Sequence, residues 1–201
     1  MLIQVLQVDI ENIYYILSYM EVSARIKRTI GAKTLKKHEK LSSILKYVFV
    51  EICQIDQTKY YLLGSFAIRE HRAINDLDIN LDKDEFMKLE KATGKNLGNI
   101  EFYNGQIRWI LDLTELYNSI TGENVKDFSI EAFMKDPRSG YPNNDFSLAK
   151  LKSKNALDMD KNGHLFLSLS ALLSWKIAMR RPKDKKDIKL ITSLIPRPRI
   201  T

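Results

Sequence analysis

The 201-residue sequence predicts an α+β fold, or an α/β fold with a short mixed sheet. Three observations predict it. Residues 33–55 repeat apolar side chains at helical spacing. Segments between 59 and 113 alternate apolar and polar residues at strand spacing. Beyond residue 163 the chain returns to long apolar stretches punctuated by proline. The plan is an N-terminal helical region over 1–58, a small mixed β-sheet core over 59–121 and a C-terminal helical region over 122–201.

The opening stretch MLIQVLQVDIENIYYILSYM is apolar but carries Asp9 and Glu11. No basic segment precedes it and no small-residue cleavage site follows, so it reads as core helix or strand, not as a signal peptide. In 33–55, Leu35, Leu41, Ile44, Leu45, Val48 and Ile52 mark one face of an amphipathic helix, with lysines between them. His38, among those lysines, reads as a surface residue. KYYLLG reads as a strand ending in a glycine turn, and DLDINL as a strand of period two. KDEFMKLEKAT is a short helix ended by Gly94. NIEFYNGQIRWILDL reads as two strands around Asn104-Gly105, a hairpin signal. FSIEAFMK reads as one short helix, and KDPRSGYPNNDF is a cluster of turn formers. HLFLSLSALLSWKIAM is apolar and helical, bounded after Arg181 by Pro182. KDKKDIKLITSLI is a second helix, stopped by Pro196 and Pro198.

Composition bounds the function. Hydrophobic residues make up 44% and charged residues 28%, enough for a packed core in a soluble domain. The single Cys53 has no intramolecular partner and reads as a buried or inert thiol. No apolar run reaches the ~18 residues a membrane span needs, so no membrane partner is expected and a cytoplasmic protein is the default. The net charge of +7 suits either a solvated basic surface or attraction to phosphate.

The segment LLGSFAIREHRAINDLDINLD carries the chemistry. Residues i and i+2 of a strand share a face, so Asp76, Asp78 and Asn80 point one way while Leu77, Ile79 and Leu81 point into the core. Carboxylates roughly 5–6 Å apart repel unless a cation sits between them. Magnesium is the natural occupant, being hard, oxygen-seeking and commonly held by a couple of carboxylates plus substrate phosphates. Gly64-Ser65 is the complement. A glycine lets the backbone approach a phosphate, and N–H groups with a serine hydroxyl at a helix start form an anion site. Arg69 and Arg72 lie three apart on the helix that would follow.

LGS, ten residues, then DLDI resembles the signature of the nucleotidyltransferase superfamily with the DNA polymerase β-like fold. GSFAIREHRAINDLD is especially similar to the minimal nucleotidyltransferases, with departures. Ile68 stands where those proteins often have arginine, Arg69 replaces a glycine and Asn75 a serine, whereas Arg72 keeps its place. The resemblance implies a third carboxylate on a later strand. Asp112 in QIRWILDL is the candidate, on the face opposite Ile107, Trp109, Leu111 and Leu113, with Glu101 as runner-up. A third acid suits a general base or a ligand of a second metal. WKIAMRRPKDKKDIKLI resembles the C-terminal motif of the same broad group, including AbiEii-type toxins, through Lys176, Arg181, Lys183, Asp184 and Asp187. That resemblance implies that Lys176, Lys183 and Asp187 meet the nucleotide. A structural alternative has Lys176 snorkelling to water, Asp184 capping the last helix and Asp187 in its first turn.

The expected function is metal-dependent nucleotidyl transfer. Mg2+, or Mn2+, on Asp76, Asp78 and Asp112 would bridge the phosphates of a nucleoside triphosphate held by Gly64, Ser65 and Arg72. The acceptor would be a hydroxyl or amine of RNA, such as a tRNA end, or of protein in a toxin–antitoxin setting. A small antibiotic-type acceptor, and a non-catalytic nucleotide-binding partner module of the same fold, are the alternatives. The oligomeric state is left open.

Overall fold

The computed structural model describes residues 36–71, 76–93, 97–103, 106–134, 147–179 and 181–195, together with Ala24 and Ile74. Arg72, Asn75, Gly94, the Asn104-Gly105 turn, all of KDPRSGYPNNDF, Pro196, Pro198 and, save for Ala24, the first 35 residues lie outside them.

Among the described residues, seven strands form one mixed sheet in the order β3-β4-β5-β2-β1-β7-β6. They are β1 (Tyr60–Leu62), β2 (Asp76–Leu81), β3 (Asn99–Tyr103), β4 (Gln106–Asp112), β5 (Ser129–Met134), β6 (Leu157–Met159) and β7 (Leu165–Leu167). β2 runs parallel to β5, and β1 parallel to β7; the other neighbours are antiparallel. The helices are α1 (Lys37–Leu45), α2 (Lys83–Thr93), α3 (Thr114–Thr121), α4 (Leu148–Ser153), α5 (Leu169–Met179) and α6 (Lys185–Leu194).

The register sorts the sheet into two faces. Leu62, Ile79, Ala132 and Trp109 are successive register partners on the apolar face. Tyr61, Asn80, Phe133 and Arg108 are successive partners on the other, and Asp78, Glu131 and Ile110 follow one row along. The apolar face is the core. Phe49 meets Tyr60 and Trp109 edge-on, with centroids 5.6 and 5.9 Å apart, and Leu41, Ile44 and Leu45 of α1 are fully buried. α1 is thus the amphipathic helix that the apolar spacing predicts, but it widens into a π-helical stretch over Lys46–Ile52. Cys53 is buried, and burial pushes its thiol up to about 12, which makes it inert.

Two expected helices are corrected. Within FSIEAFMK, Ser129–Met134 form strand β5, and the start of the apolar C-terminal stretch forms strand β7 before α5 begins at Leu169. Both belong to the region 122–201, which therefore contributes strands to the same sheet as 59–121. β5 alternates as a strand should. Ile130 and Ala132 are fully buried on the apolar face, while Glu131 faces the polar side. Glu, Ala and Met are good helix formers, but two pairing partners and two buried side chains outweigh that weak preference.

Candidate active site

The polar face becomes a site where the Gly64 bend meets β2. The Leu63 N–H donates to the Asp78 carbonyl at 2.8 Å, tying the end of β1 to the middle of β2. Gly64 then turns with φ +64° into a 3-10 segment over Gly64–His71. A Cβ on Gly64 would lie 2.8 Å from Asp78 Oδ2, closer than Cβ contacts run, so the carboxylate end would have to swing aside. Glycine is therefore favoured twice over, by the left-handed backbone and by the carboxylate in front of it. Ser65 follows as the second residue of that segment.

Asp76 and Asp78 share one face of β2, as the alternation predicts. The Asp78 carboxyl is pushed up to about 7, first by burial, then by the negative charges of Asp76 and Glu131. The positive charges of Lys183 and Arg181 oppose that shift. The C-terminal motif and the paired acids are thus brought within electrostatic reach of each other, which sequence spacing alone does not reveal.

The acid directly opposite Asp78 on the neighbouring strand is Glu131. Asp112 lies on β4, with β5 between it and β2, two strand spacings or about 9–10 Å away. Its Oδ1 accepts hydrogen bonds from the N–H and hydroxyl of Thr114, at 2.8 and 2.7 Å, at the start of α3. Glu101 is farther still, on the edge strand β3, and pairs with Arg108 at 2.9 Å. Glu131 escapes a sequence reading because its segment looks helical. The signal that could find it is the period-two pattern of Ile130 and Ala132 around it.

Lys176 is 3% exposed and does not reach water. Its ammonium donates to Asp184 Oδ1 at 3.0 Å and Asp187 Oδ2 at 2.8 Å. Arg181 donates to both oxygens of Asp184, at 2.6 and 3.1 Å, and lies over the Trp175 ring at 4.9 Å. Burial alone would raise the Asp184 carboxyl, but the bonds from Arg181 and Lys176 outweigh it and hold it below the ordinary range. Lys176, Asp184 and Asp187 thus lock α5 to α6. Lys183 remains exposed beside this lock, on the Asp78 side.

An open cleft of about 400 Å³ adjoins Asp76, lined also by Val125, Lys126, Asp127, Ser129 and Glu131. Among the described residues no three His, Cys, Asp or Glu side chains are grouped to hold a metal by themselves. Magnesium asks for less, since a couple of carboxylates suffice when water and phosphate supply the other oxygens. Asp76 and Asp78 fit that demand in donor chemistry, and the space that a Gly64 Cβ would fill is left open beside Asp78 Oδ2. No helix among the described residues is long and apolar enough to cross a membrane. Comparison with protein-family models, with curated proteins and with solved structures finds no match.

Proposed function

We propose that this protein is a metal-dependent nucleotidyltransferase that transfers a nucleoside monophosphate from a nucleoside triphosphate to a hydroxyl or amine, releasing pyrophosphate. The observation that carries the reading is the apposition of the Gly64 bend and the Asp78 carboxylate, which sits where a methyl group on Gly64 would go. Backbone able to approach a phosphate then lies beside carboxylates able to hold a cation.

Magnesium, when bound, neutralises the charge that would otherwise keep phosphates away from the acids. Asp76 and Asp78 hold and orient it. The Gly64-Ser65 bend receives the phosphate tail, and Lys183 with Arg181 adds positive charge on that side. The acid beside Asp78 is Glu131, with its carboxylate paired to Arg108, while Asp112, expected as the third acid, lies one strand farther off. Lys176 and Asp187 serve by holding α6 in place, so their effect on nucleotide is indirect. The work asked of the chain is positioning and charge neutralisation.

The cleft beside Asp76 is the place for an acceptor. With Asp76 met by the cation and Glu131 by Arg108, its remaining charges are Asp127 and Lys126, which balance. The test incubates the protein with α-labelled nucleoside triphosphates and Mg2+, beside Asp76→Ala/Asp78→Ala. Acceptors are RNA, protein and polyamine-type small molecules. Pyrophosphate release and label transfer that vanish in the double variant support the reading; no difference between the two proteins refutes it.

A further inference from the structure

Four charged side chains cross the polar face of the sheet in a row: Glu101 on β3, Arg108 on β4, Glu131 on β5 and Asp78 on β2. Glu101 stands directly opposite Arg108, and Glu131 directly opposite Asp78, while Arg108 reaches Glu131 on the diagonal. Like charges directly opposite each other destabilise a sheet, so a Glu131–Asp78 pair needs compensation. Arg108 provides it from one side. Its Nη1 donates to Glu131 Oε2 at 2.7 Å. Its Nε and Nη2 donate to Glu101 Oε2 at 3.2 and 2.9 Å. The Arg108 side chain is only 14% exposed and is gripped from both flanks, so its planar fork dictates where the Glu131 carboxylate sits.

We infer that Arg108 is a positioning residue of the cation site: it holds the Glu131 carboxylate beside Asp78 and keeps its charge from a metal ion that arrives without nucleotide. The inference rests on the reading of Asp76 and Asp78 as cation ligands. Two carboxylates grip a divalent ion weakly until phosphate oxygens complete its shell, and an unopposed Glu131 charge nearby would tighten that grip. Arg108 therefore makes tight metal binding conditional on the nucleotide.

The test uses Mn2+ alone, titrated into the full chain without nucleotide, with free ion counted by electron paramagnetic resonance. Wild type is expected to bind weakly, and Asp78→Asn to lose that binding. Arg108→Ala should bind about tenfold more tightly, the effect of removing one nearby like charge from a partly buried site. Arg108→Ala/Glu131→Gln should return to the wild-type affinity. Arg108→Lys, which restores the charge, should fall back toward it as well. Should Arg108→Ala fold poorly by circular dichroism, the near-isosteric Arg108→Gln carries the same expectation. Unchanged Mn2+ affinity in the Arg108 variants, with Asp78→Asn still abolishing binding, overturns the role of Arg108 and leaves the cation site standing. Wild-type binding that is absent, or indifferent to Asp78→Asn, overturns the cation site and this inference with it.

Discussion

Gly64 and Gly122 share a left-handed backbone, at φ +64° and +74°, but only Gly64 has a neighbour where a Cβ would go. The two positions therefore separate backbone cost from steric cost. Gly122→Ala should lose about 1 kcal/mol for its conformation alone. Gly64→Ala should lose clearly more, because its methyl group meets Asp78 Oδ2 at 2.8 Å. Chemical denaturation of both variants measures the difference; equal losses would mean that the Asp78 carboxylate is not held in place against the bend. Asp78 itself sets a pH dependence. Its carboxyl is raised from 3.8 to about 7, so its contribution to stability is complete below about pH 4 and lost as pH rises through 7. Asp78→Asn does not titrate, and in a chelator-containing buffer it should melt a few degrees above wild type at pH 8, with that advantage gone at pH 4. An advantage independent of pH would contradict the burial and charge crowding assigned to Asp78. At this scale the acids on β2 and the glycine before them were readable, since period two and a Gly-Ser step are local signals. Glu131 was not, because its importance comes from the strand it pairs with.

Among the elements, β2 and α2 cover the residues that the sequence pattern predicts, Asp76–Leu81 and Lys83–Thr93. Both are short, strongly periodic and bounded by chain features of their own. β5 and β7 are the elements misjudged, since each is held by strands on both sides and its local composition does not declare it. The α5–α6 pair was readable as two helices broken at Pro182, but the purpose of Lys176 was not. A buried ammonium needs an anion, and here two carboxylates from the following turn and helix supply it. Lys176→Met should destabilise the protein by about 3 kcal/mol, the low end for breaking a buried ion pair, because Arg181 still holds Asp184. Adding Asp187→Asn should recover part of that loss. A thermal melt of the two variants decides; a neutral Lys176→Met would mean that the lock contributes nothing.

Across the whole molecule, a second polar network ties α1 to β1 and to the β6–β7 turn. His164 is fully buried between the Ser42 carbonyl, 2.9 Å from Nε2, and the Tyr60 hydroxyl, 2.5 Å from Nδ1. A carbonyl only accepts, so Nε2 carries the proton and Nδ1 accepts from Tyr60. Asp160, in the β6–β7 turn, accepts from Ser42 at 2.5 Å and from the His164 N–H at 2.9 Å. Burial holds the His164 imidazole below its ordinary value of 6.5. Its contribution to stability is therefore present above pH 6.5 and lost as pH falls below it. Between pH 7 and pH 5 the melting temperature of wild type should drop more steeply than that of His164→Gln, whose amide can serve the same two partners. Parallel slopes would exclude His164 as the source.

The sequence by itself determined the local units: the paired acids on one strand face, the glycine bend before them, most helices and the basic balance of the chain. These follow from neighbours along the backbone, whose spacing is written in the residue order. Only the tertiary structure decided which strand lies beside β2, hence that Glu131 and not Asp112 faces Asp78, and that Lys176 is paired within the protein. Those outcomes depend on sheet order and on desolvation, which arise when distant segments exclude water together and leave no trace in the spacing of any one of them.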